Sequence, residues 1–289
     1  MRSGLKQRFL PADLITAIYI ILTALPILIF FNRLEDQFLH LVLRLLILIG
    51  IYFISGLSLQ KPLFKFIRYF YPLLLIGFFY SETDYLNNIF FNDLDSFFEK
   101  LDFVIFGNQP SITFSAKYSQ LWISELMYMG YFSYYLMIIG VPLAVYFSKP
   151  EKTEQTIFII ICSFLIYYLI FIIVPAGGPQ FYFDAIQSKP PEALFFHKAV
   201  EFMQRMGEGE TGAFPSSHVG LALVFLYLAF KNLKWLFYLL LPLVIFLCMA
   251  TVYIKAHYFV DIIGGIITAP LFVWISIKLF KIINAKRIL

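Results

Sequence analysis

Long apolar runs, broken by short basic or mixed segments, set the pattern of this chain. A helix needs about 20 residues to cross a bilayer, and eight runs approach that length: Ala12–Phe31, Phe38–Ser58, Leu63–Tyr80, Leu121–Phe147, Thr156–Val174, Ser216–Phe230, Leu233–Tyr253 and Phe259–Ile282. The third and sixth are short, so six or seven true spans are the alternative count. The pattern predicts an all-α fold, a polytopic transmembrane helix bundle of about eight spans with a six-span catalytic core. Two long polar stretches interrupt it, Ser81–Gln120 and Pro175–Phe214. In the first, Asp93, Asp95, Glu99 and Asp102 alternate with Phe91, Phe97, Phe98, Phe103 and Phe106. That mixture reads equally as a helix lying at the membrane interface and as a packed surface loop.

Composition agrees with the pattern: 61% of the 289 residues are hydrophobic and 14% charged, a balance typical of membrane proteins. Placing the N-terminus in the cytoplasm puts fourteen basic residues there, from Arg2, Lys6 and Arg8 to Lys286 and Arg287, against seven on the other side. Short loops are where the positive-inside bias is most informative. The two long polar stretches then face outward, toward the periplasm of a bacterial inner membrane or a lumen. Basic residues scattered between spans do not form a nucleic-acid stripe. Cys162 and Cys248 lie in apolar runs and read as small core side chains. The first apolar run lacks a small-residue cleavage site and reads as a span, not a leader.

Most of the polar chemistry sits at the edges of the last spans, in Gly212-Ala213-Phe214-Pro215-Ser216-Ser217-His218 and His257-Tyr258-Phe259-Val260-Asp261. On a helix His257 and Asp261 would share a face, so that the carboxylate could orient the ring. Three kinds of chemistry fit two histidines and an aspartate. A metal site would have a thin ligand set, with no His-Glu-x-x-His pattern or cysteine cluster. A serine triad would lack its Gly-x-Ser-x-Gly elbow. A histidine nucleophile with a second histidine as acid and base suits phosphoryl transfer. The surroundings favour the third. Pro215 and Ser216 read as a helix start, with Ser216 as N-cap or first-turn residue, whose free N–H groups would attract an anion. His218 falls in that first turn, and Lys255 is the nearest cation in sequence. The plainer alternative for each histidine is a hydrogen-bonded interfacial side chain.

Pro215-Ser216-Ser217-His218, a span, and then His257-x-x-x-Asp261 resemble the type 2 phosphatidic acid phosphatase superfamily. Gly177-Gly178-Pro179-Gln180-Phe181-Tyr182, the Gly212–Ser216 segment, Tyr253–Asp261 and Leu101–Pro110 are similar to its inositol phosphorylceramide synthase branch. The resemblance runs from about Asp93 to Gly265. It implies a catalytic domain over 81–289 behind N-terminal transmembrane helices at 1–80. It implies His257 as nucleophile, Asp261 as its orienting carboxylate and His218 as acid and base. It extends substrate contacts to Lys255, Ser216, Ser217, Gly178, Pro179, Gln180 and Tyr253, with no cofactor or metal and with membrane lipids as partners. Two phosphate-binding arginines of the superfamily are missing, since the chain has no Arg-Pro dipeptide and carries Ala250-Thr251 where Ser-Arg is usual. Lys255, Arg205 or Arg44 would have to substitute.

Ionisable groups within spans are functional candidates by default. Glu125 and Arg44, with His40 a turn away, read as outer-end residues that support the site from behind or pair with each other. His197 reads as solvated in an outer loop. The expected function is a lipid head-group phosphotransferase, best matched by phosphoinositol transfer to a ceramide-type alcohol. The alternatives are a lipid phosphate phosphatase and an anion-binding transporter; the internal inverted repeat of many transporters is absent.

Overall fold

A computed structural model of the chain describes residues 8–184, 189–207 and 209–288. Arg2 and Lys6, assigned above to the cytoplasmic side, lie outside the described residues. The structure is helical throughout: α1 Pro11–Ile29, α2 Gln37–Ser55, α3 Pro62–Tyr85, α4 Asp95–Phe106, α5 Pro110–Lys117, α6 Leu121–Ser148, α7 Thr153–Ile173, α8 Pro179–Tyr182, α9 Phe195–Gly207, α10 Ser217–Asn232, α11 Lys234–Tyr253 and α12 Phe259–Ile288. Seven of these helices are long and apolar enough to cross a membrane, and the protein is an integral membrane protein. The eighth expected span is the 16-residue α10, roughly 24 Å at 1.5 Å per residue and short of a ~30 Å hydrocarbon layer. The deficit has a physical origin. Ahead of α10 the chain runs as irregular backbone through Gly212–Pro215, mostly buried, and irregular backbone is tolerated at that depth only where protein surrounds it.

The bundle is built around α7. Its residues Thr156 through Leu165 are buried without interruption, as expected for a helix that is apolar on every side. Helices α1, α3, α10 and α12 pack on it. By contrast, α2 buries only Arg44, Ile51 and Ser55, and its outer face, with Phe38 70% exposed, looks to lipid. Prolines at the first turns of α1 and α3 start those helices at no loss of a hydrogen bond. Helix α10 packs against both α11 and α12. Gly265 makes that approach possible: a Cβ there would lie 2.6 Å from the Ser216 carbonyl oxygen.

In the acidic part of the first outer stretch Asp95–Phe106 forms a helix, and this helix is inverted relative to an ordinary surface helix. Asp95 and Asp102 are buried, while Phe97, Phe103, Val104 and Ile105 are more than half exposed. The inversion follows from the surroundings, which offer backbone N–H donors on the inside and an apolar milieu outside.

Arg44 and Glu125 do not pair. Arg44 forms a buried ion pair with Glu82 of α3, and Glu82 also receives His40 Nδ1 at 2.7 Å. Glu125 accepts from the N–H groups of Leu194 at 2.7 Å and Phe196 at 2.8 Å, capping α9. His197 is helical and half-buried, its ring 4.7 Å from that of Tyr128.

Candidate active site

Three local structures converge at one end of the bundle. Ser216 caps α10, its Oγ accepting from Val219 N at 3.3 Å. The N–H groups of Ser217 and His218 in the first turn therefore have no intrahelical acceptor and carry the positive end of the helix dipole. The second is the turn Ile254–Tyr258 that links α11 to α12. His257 lies in this turn, before α12 begins, so a shared helical face is not what joins it to Asp261. Instead Asp261, in the first turn of α12, folds back: its Oδ2 accepts from Tyr258 N at 2.8 Å and stands 3.4 Å from His257 Nδ1. The third is the Pro175–Gln180 segment. Gly178 there has φ +95°, and a Cβ would lie 2.6 Å from the Ala256 carbonyl oxygen, a fit open only to glycine.

The directions of the hydrogen bonds through the histidines follow from groups that can only accept. His257 Nδ1 lies 2.9 Å from the Ala213 carbonyl oxygen, so Nδ1 carries the proton and Nε2 is bare. His218 Nδ1 lies 3.3 Å from that Nε2 and must donate to it. His218 Nε2 is then the acceptor for the Tyr131 hydroxyl at 3.0 Å. Every proton in the chain Tyr131–His218–His257–Ala213 has one consistent place. His257 is 3% exposed and Asp261 fully buried. The other carboxylate oxygen of Asp261, Oδ1, has no hydrogen-bond partner among the described residues.

Two carboxylates of α4 brace this arrangement. Asp102 accepts from the N–H groups of Phe259 at 2.7 Å and Val260 at 3.0 Å, holding the start of α12. Asp95 accepts from Gly177 N at 2.7 Å and Gly178 N at 2.8 Å. Burial, aided by the neighbouring Asp93, pushes Asp95 up to about 6, against the pull of the two glycine N–H groups. Burial likewise raises Asp102, opposed by Phe259 and Val260. Sequence reasoning took both aspartates for part of a mixed surface segment; only the similarity of Leu101–Pro110 to the synthase branch pointed to this region. Tyr131 lies in an apolar span, and no motif in the sequence marks it.

A narrow pocket of about 20 Å³ opens onto the histidines, lined by both rings together with Tyr80, Tyr131, Gln180 and Thr211. Of the other sequence-selected residues, Pro179 starts α8, and Gln180 N donates to the Lys255 carbonyl oxygen at 3.0 Å. Ser217 and His218 border a larger apolar cavity. Gly178 is bound to Asp95 and does not offer its N–H to the pocket. Tyr253 is tied elsewhere, to the Tyr118 carbonyl at 2.8 Å and Ser124 at 2.7 Å. The Lys255 ammonium donates to the Lys189 carbonyl at 2.8 Å and is absent from the pocket lining; burial lowers its pKa. Arg205 pairs with Glu201 on an exposed face of α9. None of the three cations proposed to replace the missing arginines lines the histidine pocket. Among the described residues no three His, Cys, Asp or Glu side chains gather as metal ligands.

Fold and site together define a polytopic membrane protein with a pair of histidines, one buried and one half-buried, at one end of its bundle. A family profile described as the PAP2 superfamily matches residues 105–275, more than half of the chain. The chain belongs to that superfamily, the type 2 phosphatidic acid phosphatases, and is an enzyme of it. Over 61 residues it is 43% identical to the inositol phosphorylceramide synthase catalytic subunit aur1 of Schizosaccharomyces pombe, a match covering 20% of this chain and 14% of that protein. No solved structure matches the chain.

Proposed function

We propose that this enzyme is a lipid phosphotransferase that works through a phosphohistidine on His257, moving phosphoinositol from a glycerophospholipid to a ceramide-type alcohol. The observation that carries the reading is the bare Nε2 of His257, held by Ala213 behind it and facing the N–H of His218. In the first step Nε2 attacks phosphorus, the bond from phosphorus to the diacylglycerol oxygen breaks, and the His218 Nδ1 proton goes to that oxygen. Substrate phosphate takes the place of the direct contact between the rings. In the second step the acceptor hydroxyl gives its proton to His218 and attacks phosphorus, and the P–N bond breaks. Asp261 stabilises the imidazolium that forms when Nε2 of His257 is phosphorylated. The first-turn N–H groups of Ser217 and His218 supply positive potential to the phosphoryl oxygens.

The limited similarity to the yeast synthase subunit supports an alcohol acceptor. So does the absence of Lys and Arg from the pocket lining, because a phosphodiester carries less charge to neutralise than a phosphate monoester. We read the site as extracytoplasmic from the excess of basic residues at the opposite end of the spans. Residues 81–289 are read as the catalytic unit and 1–80 as N-terminal membrane helices.

The test is an assay of purified protein with radiolabelled phosphatidylinositol, with and without ceramide, comparing the wild type with His257→Ala. Labelled inositol phosphorylceramide formed by the wild type alone supports the reading. Water-soluble labelled phosphate released regardless of ceramide overturns it in favour of a phosphatase.

A further inference from the structure

A second cavity, about 320 Å³, shares Tyr80 and His218 with the histidine pocket but not the Gly177–Gln180 segment. Its walls come from α3, α6 and α7, and α9 contributes Met203 and Gly207. Helices α3 and α6 touch at their other ends, where Phe66, Tyr69 and Phe70 surround Tyr146. Toward the site they part, and Leu73, Ile76, Gly77 and Ile138 line the space between them. Gly77 is exposed, and a Cβ there would meet nothing within 4 Å. The cavity is thus a cleft between membrane-spanning helices, bordered at one end by His218. Its size is at the low end of ligand sites, about 300–1,000 Å³, room for the polar end of one lipid alcohol beside His218 with its chains outside.

Two of its side chains do not belong in a purely greasy slot. Tyr134 is 5% exposed and Tyr168 3% exposed, and both line the cavity. Neither phenol hydroxyl has a hydrogen-bond partner among the described residues, whereas Tyr80 beside them donates to the Thr211 carbonyl at 3.0 Å. Neither oxygen is fully enclosed, so each hydroxyl is open to the cleft it lines. The Tyr134 ring centroid is 4.5 Å from that of His218, and the Tyr168 ring is 5.9 Å from Tyr80. Two phenols therefore line the cleft that His218 borders, and one of them has its ring against His218.

We propose that this cleft is the acceptor site and that Tyr134 and Tyr168 hydrogen-bond the polar groups flanking the reactive hydroxyl of an amide-bearing lipid alcohol. The inference rests on the transferase reading and adds the residues that choose the acceptor. A phenol hydroxyl can both accept from an amide N–H and donate to an amide carbonyl. A diacylglycerol offers only ester acceptors near its hydroxyl, and a plain long-chain alcohol offers nothing. A site built around hydrogen bonds rejects analogues that leave its polar groups unpaired.

The experiment compares wild type, Tyr134→Phe and Tyr168→Phe in the phosphoinositol transfer assay, with ceramide and 1-hexadecanol as alternative acceptors. Loss of one hydrogen bond corresponds to about a five- to tenfold change, so the ratio of kcat/KM for ceramide over hexadecanol should fall by about that factor in each variant. Gly77→Phe, which fills the cleft from its open side, should reduce transfer to both acceptors. A purely structural role would lower both acceptors together and leave the ratio unchanged, which overturns the proposal. A second measurement does not depend on turnover: a photoactivatable ceramide should crosslink to peptides of the cleft walls, α3, α6, α7 or α9, competed by ceramide better than by diacylglycerol. Crosslinks elsewhere, or equal competition, overturn the cleft assignment. Ceramide-selective crosslinking without any transfer would instead count against the phosphotransferase reading and leave the cleft standing.

Discussion

The Tyr131 hydroxyl stands 3.0 Å from Nε2 of His218, at the opposite corner of the ring from the Nδ1 that meets His257. The hydrogen bonds from Ala213 through His257 put the His218 proton on Nδ1, and the phenol on α6 stabilises that tautomer by donating to Nε2. Without it His218 could adopt the other tautomer, and its Nδ1 would have no proton for a leaving oxygen.

Tyr131→Phe should therefore lower kcat by about tenfold while leaving KM for the donor nearly unchanged, the low end of the range for general acid–base catalysis. The melting temperature in detergent should stay within a few degrees of wild type. An unchanged kcat would show that the His218 tautomer is set by something else.

Asp102 holds the first two N–H groups of α12 as a charged acceptor. Asp102→Asn keeps the size but removes the charge and replaces one oxygen by a donor that opposes an N–H. Hydrogen bonds to charged groups are worth about 1.5–3 kcal/mol, and a loss of that order is expected in thermal unfolding. Because Asp261 rides on the same turn, turnover per folded molecule should fall too. Lower stability with unimpaired turnover would separate the brace from the chemistry.

Asp95 gives a pH dependence with a defined sign. Its pKa in the folded protein is raised from the ordinary 3.8 to about 6, so between those values the folded state binds more protons than the unfolded chain. Stability from this group is fully present below about pH 4 and is lost as pH rises through about 6. Relative to Asp95→Asn, which does not titrate, the wild-type melting temperature should fall as pH is raised from 4 to 7. A difference that stays flat, or rises with pH, would contradict the buried, raised carboxyl.

Arg44 and Glu82 form a buried pair, 4% and 6% exposed at their side chains. Glu82→Leu leaves the guanidinium without its counter-ion, and breaking one side of such a pair is destabilising by about 3–5 kcal/mol. Arg44→Leu combined with Glu82→Leu should recover most of that loss, since apolar replacements of buried pairs are often neutral. Thermal unfolding of the two single variants and the double variant measures the coupling. Additive losses would mean that the pair is not a unit.

Much of the architecture was legible beforehand because the bilayer imposes it. Seven of the eight apolar runs became spanning helices, and the Ser216 cap could be read from Pro215-Ser216-Ser217. The spacing of His257 and Asp261 led to the right neighbours by the wrong route, since His257 precedes the helix and Asp261 reaches back to it as a cap. The pairing suggested for Arg44 and Glu125 failed because a charge within an apolar run does not name its partner. Arg44 found Glu82 on the adjoining helix, and Glu125 found backbone donors at the start of α9. Asp95 and Asp102 escaped notice because a carboxylate bound to backbone N–H groups leaves no complementary residue type in the sequence.

By itself the sequence determined that this is a helical membrane protein with two histidines and an aspartate gathered near the ends of its last spans. Those properties follow from length and hydropathy, which the bilayer reads one segment at a time. Only the tertiary structure decided which nitrogen of each histidine is bare, which carboxylates hold the site together, and where a cleft opens beside His218. These depend on distances between α4, α6, α10 and α12, elements separated by tens of residues, and a hydrogen bond exists only when donor and acceptor are brought within about 3 Å.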